Sequence, residues 1–372
     1  MDIKQVPLPK PNVHLDAIPD YAVSDSVDDV SKQFGLEAVT YLASNENPFG
    51  CSPAVTKAIT AAISGVHRYP DGAGRALKKV IAADLNVLPT NIVLGNGSNE
   101  VLELVAKVFL SSADEMLISE QSFAMYPIFG LSLAAQVRSV PMRDWFVDLD
   151  EMLLAITPKT KVIYIANANN PTGTMVSFES LKVFIDRLPS HILLVIDEAY
   201  IEFADVNFSS AVSLIDKYPN IVVSRTFSKA YGIAGLRVGY GIANDTVVAL
   251  LEKMRQPFNV NSIALAGAMA AFQDRIFLKQ VVDHNRKEKA RIQAQLDLVK
   301  VRYLPSQTNF LAIELPNLAK QLSEFLKRNG VIVRSLTSYN MADWLRVSVG
   351  LTNENDLFIL KLKEFLDMPN EC

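Results

Sequence analysis

The chain has 372 residues, 49% of them hydrophobic and 20% charged, a balance that excludes a disordered or fibrous polymer and leaves room for more than one packed unit. The net charge of −4 gives no electrostatic case for nucleic acid or an anionic membrane surface, so the expected partners are small molecules. Two distant cysteines, Cys51 and Cys372, and four histidines without ligand spacing argue against a disulfide framework and a zinc site; no metal is expected. The opening MDIKQVPLPKPNVH has no apolar export core, and no run reaches the roughly eighteen apolar residues of a membrane span, so a cytoplasmic setting is expected.

Residues 1–40, proline-rich at the front, predict an extended arm with at most one short helix. From 41 to 260, short β-branched runs alternate with helical patterns, which predicts a large domain built on a mainly parallel sheet covered by helices. Seven strands are expected: Ile92–Leu94, Met116–Ser119, Gln136–Val140, Val162–Ala166, Ile192–Ile196, Ile221–Val223 and Val238–Ile242. Several are nearly all apolar, as strands buried on both faces should be. Leu181, Phe184, Ile185 and Leu188 mark one intervening helix, stopped by Pro189. Residues 261–299 read as a linking helix, and 300–372 as a smaller α+β domain. In that domain Phe310–Leu315, Val331–Arg334 and Leu345–Val349 are strands, one helix ends at Asn329-Gly330, and another opens at Thr352.

In an open parallel sheet, ligands bind beyond the carboxyl ends of the strands, and the residues there are unusually polar in this chain. After Ile92–Leu94 comes GNGSNE, a glycine turn into a helix, whose N–H groups near Gly97, Ser98 and Asn99 suit an anion such as phosphate. Taken alone, that turn is equally consistent with plain architecture. The third glycine of a dinucleotide fingerprint is missing, because Glu100 occupies its place. After Val162–Ala166 comes NANNPTG, where Asn170 offers an amide, or simply an N-P turn. After Ile192–Ile196 comes DEAY, which puts the Asp197 carboxylate in low dielectric and Tyr200 three residues on. After Ile221–Val223 comes SRTFSKAYGIAGLRVGY, with Lys229 flanked by Thr226 and Ser228 and followed by Arg237, a cation able to depress the lysine pKa.

A Schiff-base lysine, a carboxylate for a pyridine nitrogen, donors for a phenolic oxygen and a phosphate cradle are together the requirements of pyridoxal 5'-phosphate. The run NNPTG, DEAY and SKAYGIAGLRVGY resembles the fold-type I pyridoxal-phosphate-dependent aminotransferases, from ASNENPFG through LRVSVG. The resemblance implies that Lys229 forms the Schiff base and shuttles the substrate proton, and that Asp197 holds the pyridinium proton. It implies that Asn170 and Tyr200 donate to the phenolic oxygen, and that Gly97, Ser98, Asn99, Thr226, Ser228 and Arg237 bind the phosphate. Phe123, in SEQSFAMYP, falls where the family stacks an aromatic ring, often tyrosine. Tyr69, in HRYPDG, matches a residue that reaches the neighbouring subunit's phosphate, so a homodimer with shared sites is implied.

Within this fold the sequence looks most like the histidinol-phosphate aminotransferase family, through RYPDG, GNGSNE, RQPFNVNS, GVIVRSL and WLRVSVG. That likeness implies transfer of the amino group of L-histidinol phosphate to 2-oxoglutarate, with Tyr21, Asn47, Arg334 and Arg346 binding substrate. The chain departs from the family in its arm, DYAVSDSVDD, in the linker SLTSYNMADW, and at Cys51, where proline is common. These departures lie on the substrate side. They leave an aromatic amino acid aminotransferase as the first alternative and a decarboxylase of a phosphorylated amino acid as the second.

Overall fold

The structure, a computed structural model, describes residues 10, 12–18, 25–205 and 207–368; Tyr21 and Cys372 lie outside the described residues. Strand β1 is Thr40–Leu42, β2 Ile92–Asn96, β3 Glu115–Ser119, β4 Gln136–Val140, β5 Thr160–Ala166, β6 Leu193–Asp197, β7 Ile221–Thr226 and β8 Val238–Ala243. After a helical stretch follow β9 (Arg302–Tyr303), β10 (Phe310–Glu314), β11 (Val331–Ser335) and β12 (Trp344–Ser348). Among the described residues these strands form two sheets. A seven-stranded sheet runs β2-β8-β7-β6-β5-β3-β4, parallel except for β8, which is antiparallel to both β2 and β7. A five-stranded sheet runs β1-β11-β12-β10-β9.

The apolar runs become strands because helices cover both faces of the large sheet. Along β5, Ile163 and Ile165 enter one core cluster, while Val162, Tyr164 and Ala166 enter the cluster on the opposite face. Period-two alternation between two dry faces leaves residues 162–166 without a solvent-facing position, which is why, after Thr160 and Lys161, the strand reads as a continuous apolar run. The helix expected around Leu181 spans Phe178–Arg187, and the Ser177 hydroxyl accepts from the Ser180 N–H at its start.

Three features were not visible in the pattern. The linking helix is two helices, Ser262–Gln273 and Arg275–Leu298, because the Asp274 carboxylate caps the second by accepting from the Phe277 N–H. Strands β1 and β9 have three and two residues, too few for a period to register. Strand β1 pairs in parallel with β11, Thr40 opposite Val331, so the chain adds a strand to the small sheet before entering the large one. The segment after β1 therefore runs between the two sheets, and the cavity described next opens there.

Candidate active site

Asp197 ends β6, and its neighbour Glu198 points the other way, as successive residues of an extended chain must. Glu198 is consumed structurally: Arg225 of β7 lies 2.9 Å from it, and the Ala211 N–H and Ser210 hydroxyl also bond it. Asp197 instead faces the cavity. Its Oδ2 accepts from the Tyr126 hydroxyl at 2.9 Å, and its buried Oδ1 has no hydrogen-bond partner among the described residues. Burial pushes the carboxyl up to about 6, against the lowering effect of the Tyr126 hydroxyl. A buried carboxylate with one oxygen satisfied and the other facing a void is set up to receive a proton-bearing cation.

The anion cradle lies at the far end of the same wall. Helix Ser98–Phe109 starts directly after Gly97, whose φ of 81° is a glycine conformation. A Cβ on Gly97 would strike the Arg237 guanidinium, and one on Gly239 of β8 would strike the Ser98 N–H and the Gly97 carbonyl carbon. Both glycines therefore exist to bring the helix N-terminus, the β8 backbone and Arg237 together. Arg237 Nη1 lies 3.4 Å from the Ser228 hydroxyl, and Thr226 Oγ1 accepts from the Ser228 N–H. Glu100, in the first turn, is held away from this cradle by the Asn96 N–H and by Asn259 Nδ2.

Lys229 projects between these two ends. Its Nζ donates to the Ser44 carbonyl at 3.0 Å and lies 5.9 Å from the Tyr200 ring centroid. Burial, then the charge of Arg346, lowers its pKa to about 8, with Arg237 adding to the shift and Glu46 opposing it. The sequence pointed to Arg237 as the depressing cation; Arg346 has the larger influence.

The opposite wall comes from the small sheet. Arg334 of β11 and Arg346 of β12 are register partners, so two like charges sit side by side at the cavity, an arrangement that favours an anion between or above them. Arg346 is 6% exposed and donates to Asn170 Oδ1 at 2.6 Å and to the Ala43 carbonyl. With its carbonyl oxygen taken by Arg346, Asn170 has its NH₂ as the end left to serve the cavity.

The cavity of about 330 Å³ gathers Ser98, Asn99, Phe123, Asn170, Asp197, Tyr200, Thr226, Ser228, Lys229, Arg237, Arg334 and Arg346 from the residues expected by sequence. Gly97, which abuts Arg237, does not line it, and nor do two other expected residues among those described. Asn47 uses its amide inside the protein, Nδ2 donating to the Ala230 carbonyl and Oδ1 accepting from the Phe49 N–H. Tyr69 is 83% exposed and stacks on Phe258 at a separate surface depression. The sequence also passed over residues that matter to this geometry, namely Tyr126, Asn45 and the Ser44 carbonyl. Tyr126 sits in the already singled-out SFAMYP and Asn45 in ASNENPFG, but only tertiary contacts reveal their partners.

Pyridoxal phosphate fits this set. The unpartnered Asp197 oxygen suits a protonated ring nitrogen, the glycine-shaped cradle suits a phosphate, and the depressed Lys229 amine suits an aldehyde. Among the described residues no cluster of side chains has the makings of a metal site, and no helix is long and apolar enough to cross a membrane.

The family model for aminotransferase class I and II matches residues 37–360. Histidinol-phosphate aminotransferase 1 of Mannheimia succiniciproducens is 39% identical over 97% of this chain and 99% of its own. Histidinol-phosphate aminotransferase 2 of Pseudomonas fluorescens is 43% identical over 93% of this chain and 94% of its own. Among solved structures, the histidinol-phosphate aminotransferase of Sinorhizobium meliloti in complex with pyridoxal-5'-phosphate superposes with a TM-score of 0.89 at 28% identity. That match covers 97% of this chain and 98% of that one.

Proposed function

The chain belongs to the class I and II aminotransferases, among the histidinol-phosphate aminotransferases, and from that membership we propose that it binds pyridoxal 5'-phosphate between its two sheets and works in histidine biosynthesis. L-histidinol phosphate and 2-oxoglutarate are exchanged for imidazole acetol phosphate and L-glutamate. The observation that carries this reading is the buried Asp197 with its unpartnered oxygen, on the same wall as a depressed Lys229 and an anion cradle.

When bound, pyridoxal phosphate supplies a conjugated ring that takes up the electron pair released as the amine-bearing carbon loses its proton. Asp197 would hold the protonated ring nitrogen, with its carboxylate oriented by the Tyr126 hydroxyl. Lys229 Nζ, whose free amine is lowered to about 8 by burial and the charge of Arg346, would serve as the base for the proton on the amine-bearing carbon. Asn170 Nδ2 and the Tyr200 hydroxyl would donate to the phenolic oxygen. Gly97, Ser98, Asn99, Thr226, Ser228 and Arg237 would hold the cofactor phosphate, and Phe123 would pack on the ring. Arg334 and Arg346 would take the donor's phosphate in one half-reaction and an acceptor carboxylate in the other, with Tyr21 on the substrate side by family likeness; Asn47, whose amide is bound within the protein, is given no substrate contact.

We further propose a homodimer in which exposed Tyr69 completes the partner's phosphate site, and a cytoplasmic location. The large unit is proposed as 41–260 and the small one as 300–372, with 1–40 as an arm and 261–299 as the link, except that β1 at the start of the large unit joins the small sheet through β11. The test is glutamate formation from 2-oxoglutarate, side by side with histidinol phosphate, phenylalanine and tyrosine as donors. A preference for histidinol phosphate of about a hundredfold, or about 2.7 kcal/mol, supports the assignment. Equal or better rates with phenylalanine or tyrosine replace it with an aromatic aminotransferase, and carbon dioxide release without glutamate replaces it with a decarboxylase.

A further inference from the structure

Asn45 lies just after β1, 1% exposed and in a left-handed backbone conformation with φ of 56°, at the meeting of the two sheets. Its backbone N–H donates to Ser348 Oγ at 2.9 Å, and its own Oδ1 lies 3.1 Å from that same hydroxyl. Its Nδ2 lies 2.9 Å from the Tyr200 hydroxyl oxygen. The Asn45 carbonyl accepts from Asn309 Nδ2 at 3.0 Å, which fixes the backbone from the β10 side.

The polarity of this chain of bonds follows from the orientation of the Asn45 amide. Ser348 Oγ accepts from the Asn45 backbone N–H and donates its single proton to Asn45 Oδ1. With the carbonyl end of the amide committed to Ser348, Nδ2 is the end that faces Tyr200, and an NH₂ group can only donate. Tyr200 therefore accepts from Asn45, and its own proton is released toward the cavity that its ring borders. Ser348 stands two residues from Arg346 on β12, so the strand that carries the anion-binding arginine also carries the first link.

We propose that Asn45 is a positioning residue that, held by Ser348, compels the Tyr200 hydroxyl to donate into the cavity. The proposal rests on the reading of that cavity as the pyridoxal phosphate site, where Tyr200 serves the phenolic oxygen. A simple packing role predicts that the isosteric Asn45→Asp change is mild and Asn45→Ala worse. The directional role predicts the reverse, because a carboxyl oxygen facing Tyr200 accepts its proton and turns it away from the cavity, whereas alanine leaves the proton free.

The test measures pyridoxal phosphate dissociation and the pH titration of its visible band in wild type, Y200F, N45D, N45A and the N45D/Y200F double variant. The expected result is weakening of about tenfold for both Y200F and N45D. The titration midpoint should also rise by about one pH unit in both, since a phenolic oxygen without its donor stays more basic. N45A should be affected less than N45D, and adding N45D to Y200F should change neither reading further. An unmoved Y200F overturns the cofactor role of Tyr200, and this proposal with it. A shifted Y200F beside a wild-type N45D, or an N45D effect undiminished in the Y200F background, overturns the proposal alone. If N45D does not fold, S348A carries the test: a smaller shift in the same direction, absent in the Y200F background, supports the proposal, and a wild-type titration overturns it.

Discussion

Two lysines in this molecule have nearly the same amine and entirely different surroundings. Lys229, just past β7, and Lys289, on helix Arg275–Leu298, are both lowered to about 8, in each case chiefly by burial. Lys289 Nζ donates to the Ser306 and Thr308 carbonyls at 2.7 and 3.0 Å and thereby ties the helix to the loop before β10. Lys229 has one carbonyl partner and faces a cavity that also holds a half-satisfied carboxylate and an anion cradle. A depressed amine is thus a consequence of burial; what makes one of them chemical is the convergence of other groups on a space large enough for a ligand.

The sharpest way to break that comparison is to remove each amine. Lys229→Ala is expected to lower turnover by about 10⁴-fold or more, as loss of a covalent anchor and proton carrier should. Lys289→Met should leave kcat within about twofold and, in denaturant unfolding above about pH 10.5 where the burial penalty on the charged amine is gone, cost about 1–2 kcal/mol through its lost hydrogen bonds. Comparable losses of kcat in the two variants would erase the distinction.

Asp197→Asn keeps the shape and removes the charge. The expectation is a loss of kcat of about a hundredfold to a thousandfold, with weaker cofactor retention read by dialysis. Tyr126→Phe strips one hydrogen bond from the same carboxylate and should cost about 1–3 kcal/mol in cofactor affinity, with the acidic limb of the cofactor's visible titration displaced.

The smallest effect concerns stability and pH in the cofactor-free protein. A lysine with a folded pKa near 8 and an ordinary value of 10.5 penalises folding fully below about 8, and the penalty is relieved as pH rises from 8 toward 10.5. Both lysines carry this sign, so Lys229→Met and Lys289→Met should each flatten the rise of unfolding free energy across that window. Asp197 acts at the other end. Its carboxyl, raised from 3.8 to about 6, makes stability fall as pH rises between those values, and Asp197→Asn should remove that fall.

Lys229 was legible in the sequence because its surroundings are local. It follows an apolar strand, lies among Thr226, Ser228 and Arg237, and matches two other polar strand ends at Asn170 and Asp197. Lys289 stands in a charged helical run, HNRKEKARIQ, and its burial arises from packing of the loop at 306–308, which no period encodes. The same logic separates the two walls of the cavity. The large-sheet wall is a series of strand ends, each announced by an apolar run, whereas the small-sheet wall needs a three-residue strand, β1, joined to a partner nearly three hundred residues on. Arg334 and Arg346 were found by likeness to a family, and their side-by-side register was not visible until β11 and β12 were paired. Tyr126 and Asn45 act through single hydrogen bonds across the fold, so nothing adjacent to them in the chain marks their role.

We propose that geometry, and not amine pKa alone, selects Lys229 as the cofactor lysine. Borohydride trapping of bound pyridoxal phosphate in the purified protein, followed by peptide mass spectrometry, tests it directly. A single pyridoxyl adduct on the peptide containing Lys229 is expected; an adduct on Lys289, or a cofactor that is bound but never trapped on Lys229, would overturn that assignment.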